Sequence, residues 1–329
     1  MRDVFRRQAE HFEALGSPVY ARLAERLALD PSPVEPILGD DDAWDAPLRL
    51  FGAVHYLVLS EAAPDALSGR WEDFAAALVA HQDALRRRVA TQGVQTNEVQ
   101  RCTFVLPALL AAAAETRLPL ELLELGPSAG LNLLADRYRY RYANGPWGPE
   151  DARLELVVEE RGGRVPAGLL AEELVVRRRR GIDLAPVDST TRDGYLLLRS
   201  FLWPGLDQRL ERLEAAAATL RELPERPELI RGDFVRSLPA LLDERPADAL
   251  TVVFETFSAI FLPAETAAEL ERALDTAGAD GRPLAWVSVV HGGDDPTHGD
   301  FELELRIWPG PARLAARVDP HGNWLDWRL

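Results

Sequence analysis

Three short stretches end apolar runs on groups that could do chemistry. Gly126-Pro127-Ser128-Ala129-Gly130 follows Leu120-Glu121-Leu122-Leu123-Glu124-Leu125; its glycines let a backbone pass close to a ligand, and Pro127 forbids a continuing helix. A helix expected over 131–138 would open from that bend and aim its free N–H groups above the strand. Gly181-Ile182-Asp183-Leu184-Ala185-Pro186 delivers a carboxylate at a strand end, the acceptor-only group that a ribose diol needs at the edge of a nucleoside-binding α/β sheet. Gly232-Asp233-Phe234 repeats the pattern of strand, glycine and acid. The distance from Gly130 to Asp183 exceeds the roughly 20 residues of a dinucleotide fingerprint, which an insertion between them would absorb.

Two polar clusters stand beside these. Gln95, Asn97, Glu98, Gln100 and Arg101 precede the very apolar stretch 104–114. Thr96 or Asn97 could cap that helix with Glu98 in its first turn, or the cluster could line a site at its mouth. His291 ends an apolar strand and is a candidate acceptor-side base. The loop it opens, through His298 to Asp300, has two histidines and three acids; a solvated loop is preferred there to a metal site.

The elements that must position these groups follow from periodicity. Helix spacing at Phe5, Ala9, Phe12 and Leu15 breaks at Gly16-Ser17-Pro18 and resumes to Asp30. A buried helix is expected around 48–57, an amphipathic one over 71–89, and another over 97–114. Alternation at Tyr138, Tyr140 and Tyr142 and again over 154–159 predicts an inserted β excursion around 139–173. A helical stretch over 196–220 is interrupted at Trp203-Pro204-Gly205. Further strands are expected at 228–234, 250–257 and 284–290, and a closing hairpin at 301–318. The fold expected is therefore α/β: an all-α N-terminal module over 1–116, then a sheet domain over 117–329.

Composition narrows the chemistry. The 329 residues include 37 basic and 53 acidic side chains, a formal charge of −16, which disfavours nucleic acid and anionic lipid. The basic side chains are all arginine, which removes a phosphate-loop lysine and a Schiff base. Cys102 stands alone, so a multi-cysteine zinc site is excluded. Without a membrane-length apolar run or a signal peptide, the expectation is a soluble cytoplasmic protein acting on a small molecule.

The order strand, glycine turn, helix, strand ending in Asp, strand with Gly-Asp and closing hairpin resembles the Rossmann-like class I S-adenosylmethionine-dependent methyltransferases. More narrowly, Gln95-Thr96-Asn97-Glu98, Gly126 to Asn132, Gly181 to Asp188 and Trp203-Pro204 resemble the bacterial family DUF2332. The resemblance implies an S-adenosylmethionine cofactor. Glu124, Gly126, Ser128, Gly130 and Asn132 would serve its methionine end, Asp183 and Leu184 its ribose, and Gly232, Asp233 and Phe234 its adenine. Glu98, Glu255 and His291 would be catalytic candidates, with Gln95, Asn97, Arg101 and Trp203 lining the substrate. Ser128 stands where that class has its central glycine; a serine there can still approach the methionine carboxylate and donate a hydrogen bond.

Two other classes fit the same residues. A regulatory protein could keep the nucleoside pocket without turnover. An α/β-hydrolase could use Ser128 in a G-x-S-x-G elbow, with Asp233 or Asp248 and His291 or His321. Against the hydrolase, everything upstream of the elbow reads as helical and no His-Gly-Gly run precedes it.

Overall fold

The computed structural model describes residues 1–292 and 301–329. His298, Asp294, Asp295 and Asp300 of the loop considered for a metal lie outside the described residues. The chain divides into two compact units, one of residues 1–96 and 187–214, the other of 97–186 and 215–329. The first unit therefore ends before the expected boundary at 116 and takes back a second segment. Among the described residues no helix is long and apolar enough to cross a membrane.

The first unit is built of helices. Arg2–Ala14 and Pro18–Leu29 are separated at Gly16, whose φ of +85° suits the turn, and Pro18 opens the second helix where a missing N–H costs nothing. Ala46–Leu59 follows; the expected single helix over 71–89 is instead two, Trp71–Ala80 and Gln82–Thr91, broken at His81. Arg192–Ser200 belongs to this unit, as does the first part of Asp207–Glu222. Phe12 is the centre of its core, meeting Tyr20, Phe51 and Trp203 edge to face at 4.7–5.3 Å. Gly52 brings a backbone within contact of Phe201, where a Cβ would approach the ring to 2.7 Å.

Among its described residues the second unit holds twelve strands. In chain order they are β1 (Leu120–Leu125), β2 (Arg139–Tyr142), β3 (Gly145–Trp147), β4 (Glu155–Val157), β5 (Glu159–Glu160), β6 (Val176–Asp183), β7 (Glu228–Arg231), β8 (Leu250–Glu255), β9 (Leu284–His291), β10 (Phe301–Ile307), β11 (Ala312–Val318) and β12 (Trp324–Trp327). Nine make one sheet in the order β5-β12-β11-β10-β9-β8-β1-β6-β7. The five from β9 to β7 run parallel, β10 and β11 are antiparallel to both their neighbours, and β12 is antiparallel to β11 and parallel to β5. The remaining three form a small sheet in which β2 lies between β3, antiparallel, and β4, parallel.

Alternation in β1 divides its side chains between two faces. Leu123 and Leu125 join Ile182, Val253 and Leu284 in a core covered by the helices Phe234–Asp243 and Ala264–Gly278. Each such buried aliphatic side chain contributes about 1.5–3 kcal/mol. Glu124, of opposite parity, is turned to the other face. The basic run falls inside β6, each arginine paired with an acid: Arg177 with Asp248, Arg178 with Glu228, Arg179 with Asp136 and Arg180 with Glu244.

Candidate functional site

β1 lies between β6 and β8. From it the chain works outward through β6 and β7 on one side and through β8 and β9 on the other, so strand order reverses at β1. In open parallel sheets the carboxyl edge at such a reversal is where a crevice forms and ligands bind. Two non-glycine residues there have left-handed backbone: Ser128, φ +53°, after β1, and Phe257, φ +71°, after β8. Such conformations cost on the order of 1–3 kcal/mol and gather at functional sites.

The bend after β1 is knitted to its neighbours by backbone groups. The N–H of Gly126 donates to Ile182 O at 2.9 Å, that of Ser128 to Asp183 Oδ2 at 2.8 Å, and that of Gly130 to Pro127 O at 2.8 Å. Leu131 N–H donates to Asn97 Oδ1 at 3.2 Å. No α-helix follows: Asn132–Arg137 is a run of 3₁₀ turns, with Leu134 outside helical geometry. The expected helix over 131–138, and the anion site at its N-terminus, are therefore overturned: the amides of Gly126, Ser128, Gly130 and Leu131 are spent on the protein. Two buried tyrosine hydroxyls hold this segment, and a third reaches the helix Cys102–Thr116. Tyr138 donates to Leu131 O and Tyr140 to Ala135 O, each at 2.7 Å, and Tyr142 to Thr103 O at 2.8 Å.

Behind the bend lies a buried polar network. Asn132 donates from Nδ2 to Glu124 Oε1 and to Thr256 Oγ1, both at 3.3 Å, and its Oδ1 lies 3.5 Å from Cys102 Sγ. Glu255 accepts N–H from Val289 at 2.7 Å, Ser258 at 2.8 Å and Ala259 at 3.1 Å. Burial raises the pKa of both carboxyls, that of Glu124 to about 8; the Asn132 amide pulls it back, and the charge of Asp183 adds to the rise. Burial likewise pushes the Cys102 thiol well up, which makes it a poor nucleophile.

Arg101 bolts the network to the closing strands, donating to Thr256 O and Pro320 O, each at 2.9 Å. Its guanidinium lies 4.5 Å from the centre of the Phe257 ring, whose edge meets Phe301 at 4.8 Å; Phe301 in turn lies 5.4 Å from the exposed ring of His291. A continuous row of contacts therefore joins the surface histidine to the buried carboxylates.

The structure gathers Asn97, Glu98, Arg101, Glu124, Gly126, Ser128, Gly130, Asn132, Asp183, Glu255 and His291 in one unit. Glu98 caps the 3₁₀ turn Val99–Arg101, accepting the Gln100 N–H at 3.2 Å, where Thr96 or Asn97 had been expected to cap a helix; the α-helix begins only at Cys102. Gly126 is required by Ser258, whose Cβ would lie 2.6 Å from an added Cβ. Asp233 spends its carboxylate on capping the Phe234–Asp243 helix, and Phe234 packs on the core below it. Gly232 donates its N–H to Asp183 O at 2.9 Å, while the Leu184 side chain is 71% exposed. Gln95 and Trp203 belong to the helical unit, where Trp203 packs on His11 and Phe12. Thr256, Phe257, Cys102 and Phe301 were not foreseen; the polar Glu255-Thr256 closing an otherwise apolar strand was the available signal. Among the described residues no cluster of three or more His, Cys, Asp or Glu side chains could hold a metal.

A family model described as an uncharacterized protein conserved in bacteria, DUF2332, matches residues 2–327. The chain belongs to DUF2332. No protein with a curated description matches this DUF2332 chain. A crystal structure of a Legionella pneumophila protein of the DUF519 family model is similar at 14% identity, covering 59% of this chain and 67% of that one with a TM-score of 0.27.

Proposed function

We propose that this DUF2332 protein binds S-adenosylmethionine at the carboxyl edge of β1 and β6 and methylates a small-molecule acceptor, on a Rossmann-like sheet domain. The observation that carries the reading is Asp183, which ends β6 and contacts the bend after β1 at the strand reversal. Its two oxygens each accept one backbone N–H, from Ser128 and Ala185. A carboxylate has about four acceptor directions, so two remain for ribose hydroxyls.

When bound, the cofactor supplies the methyl group and the leaving sulfur. The chain's own contribution is alignment and exclusion of water: Ser128 and Asn132 border the methionine end, and His291 takes the proton that the acceptor releases. A non-catalytic nucleoside sensor is the second reading, favoured by the depth of the network: Glu124, Asn132, Ser128 and Glu255 are each at most 5% exposed. The serine-hydrolase reading has less support. Ser128 is followed by 3₁₀ turns rather than a helix, and Asp248 precedes β8, at the opposite end of the parallel pair from Ser128.

Calorimetric titration with S-adenosylmethionine and S-adenosylhomocysteine tests the proposal. Binding that Asp183→Ala weakens supports it, and unchanged affinity in that variant rejects the assigned pocket. Labelling of Ser128 by a fluorophosphonate would favour the hydrolase instead.

A further inference from the structure

Three adjacent strands bring one ring each to the carboxyl edge of β8 and β9. Phe257 follows β8 by two residues, His291 ends β9, and Phe301 opens β10 level with His291. The row runs from the interior outward: Phe257 is 8% exposed, Phe301 is half-buried and the His291 side chain is exposed. Its outer end is therefore open to a ligand.

The innermost ring is held there against strain. A bulky residue rarely adopts the left-handed φ of +71° found at Phe257, and such an outlier persists only where its surroundings over-determine it. Here they do. Glu255, fully buried, accepts the N–H groups of Ser258 and Ala259 just beyond the ring and that of Val289 on β9. Ser258 donates from Oγ to Leu125 O at 2.6 Å, and Arg101 donates to Thr256 O while lying over the Phe257 ring. Glu255, a catalytic candidate in the sequence, is by this arrangement a positioning residue: both its oxygens are engaged in fixing the loop that carries Phe257.

We infer that this row selects an uncharged aromatic ring bearing a hydroxyl or a ring N–H, which stacks on Phe301 and His291, and that Phe257 and Phe301 are the residues that set this specificity. The inference rests on the reading above in taking that molecule to be the methyl acceptor. Phe257 meets Phe301 edge to face at 4.8 Å, and Phe301 meets His291 tilted by 36° at 5.4 Å. Both separations fall where aromatic pairs gain beyond the area they bury, and a further ring extends the row in the same manner. Charge narrows the choice. A cationic ligand would meet the Arg101 guanidinium at the inner ring, and an anionic one the carboxyls of Glu124 and Glu255, with which Arg101 already interacts. A neutral ring meets neither penalty, and its hydroxyl or N–H can donate to His291.

Phenol and cyclohexanol, alike in size and differing in the ring, are the probes, each titrated into the full-length protein with and without S-adenosylmethionine. The His291 ring signal in the proton NMR spectrum is the one that His291→Ala removes. Phenol is expected to move that signal through its ring current and to bind at least about five-fold more tightly than cyclohexanol. Phe301→Leu, which keeps the bulk without the ring, should abolish most of that preference. Thermal unfolding shows whether the leucine variant is folded; should it not be, His291→Ala, altered at an exposed side chain, must show the same loss. Equal affinity for the two probes, or a His291 signal that phenol leaves in place under both conditions, overturns the inference. Binding of S-adenosylmethionine without a phenol response ends the inference and leaves the cofactor reading standing. A phenol response that Phe301→Leu weakens, without binding of S-adenosylmethionine, upholds the aromatic site and ends the cofactor reading.

Discussion

The carboxylate of Asp183 accepts the Ser128 N–H at 2.8 Å and so ties the end of β6 to the left-handed bend after β1. Its other oxygen accepts the Ala185 N–H at 2.8 Å, which fixes the start of the following loop. One side chain therefore fixes both the bend after β1 and the loop after β6. Asp183→Ala leaves two amides without acceptors and is expected to cost roughly 1–3 kcal/mol, while Asp183→Asn, which keeps one acceptor oxygen, costs less. Urea unfolding of the three proteins measures this; a wild-type midpoint in the alanine variant would show that the contact holds nothing together.

Ser128 is held at φ +53° by that contact and by the short Gly130–Pro127 bond. Left-handed backbone costs an L-residue about 1–2 kcal/mol, and glycine escapes it. Ser128→Gly is expected to raise stability by up to about 1 kcal/mol, the gain being reduced by the greater freedom of the unfolded chain. It should also leave nucleoside affinity within a few-fold, since the Asp183 contact is made by the backbone. Ser128→Val, branched at Cβ, should destabilise. Thermal unfolding and titration of both variants check the pair, and a stabilised valine variant would contradict the conformational argument.

How legible the crevice was in the sequence depends on how local its causes are. The apolar runs ending at Leu125, Asp183 and Glu255 carry their strands in their own pattern, and their order placed the bend and the acid side by side. The 3₁₀ turns after Leu131 were hidden, because they are held by two hydroxyls, from Tyr138 and Tyr140, and by the amide oxygen of Asn97. The placing of Trp203 was hidden for the same reason: its neighbours His11 and Phe12 lie some two hundred residues earlier, and nothing around Trp203-Pro204 encodes that meeting. Arg101 looked like a substrate contact because its sequence neighbours are polar. Its carbonyl partners, Thr256 and Pro320, carry no side-chain signal of the role.

Glu124 gives the protein a pH dependence opposite in sign to that of an ordinary surface acid. Its folded pKa of about 8 lies above the ordinary 4.5 because it is buried, with Asp183 and Glu255 adding to the rise. Between those two values the folded chain holds a proton that the unfolded chain has lost, so stability falls as pH rises and levels off above about 8. At about 1.4 kcal/mol per unit the full effect is of the order of 5 kcal/mol before any local relaxation. Glu124→Gln removes the titration, so its stability should overtake that of the wild type as pH climbs from 5 to 9. Denaturation curves at several pH values measure the difference, and parallel pH profiles for the two proteins would mean that Glu124 is ionised throughout.

The tyrosines at and just before β2 separate positioning from stability. Tyr138 holds the carbonyl of Leu131 at 2.7 Å while Asn97 holds its N–H, and the next residue, Asn132, reaches Glu124 and Thr256. Tyr142 makes a similar bond to Thr103 O, within the Cys102–Thr116 helix. Each phenylalanine substitution strips a partner from a buried carbonyl and is expected to cost about 1–3 kcal/mol. Only Tyr138→Phe frees the segment that aims Asn132, so it alone should weaken nucleoside binding, by several-fold. Calorimetric titration of the two variants beside their unfolding curves separates the effects. Equal affinity loss in both would make the small sheet a general support, and loss in Tyr138→Phe alone would make it the brace that sets Asn132.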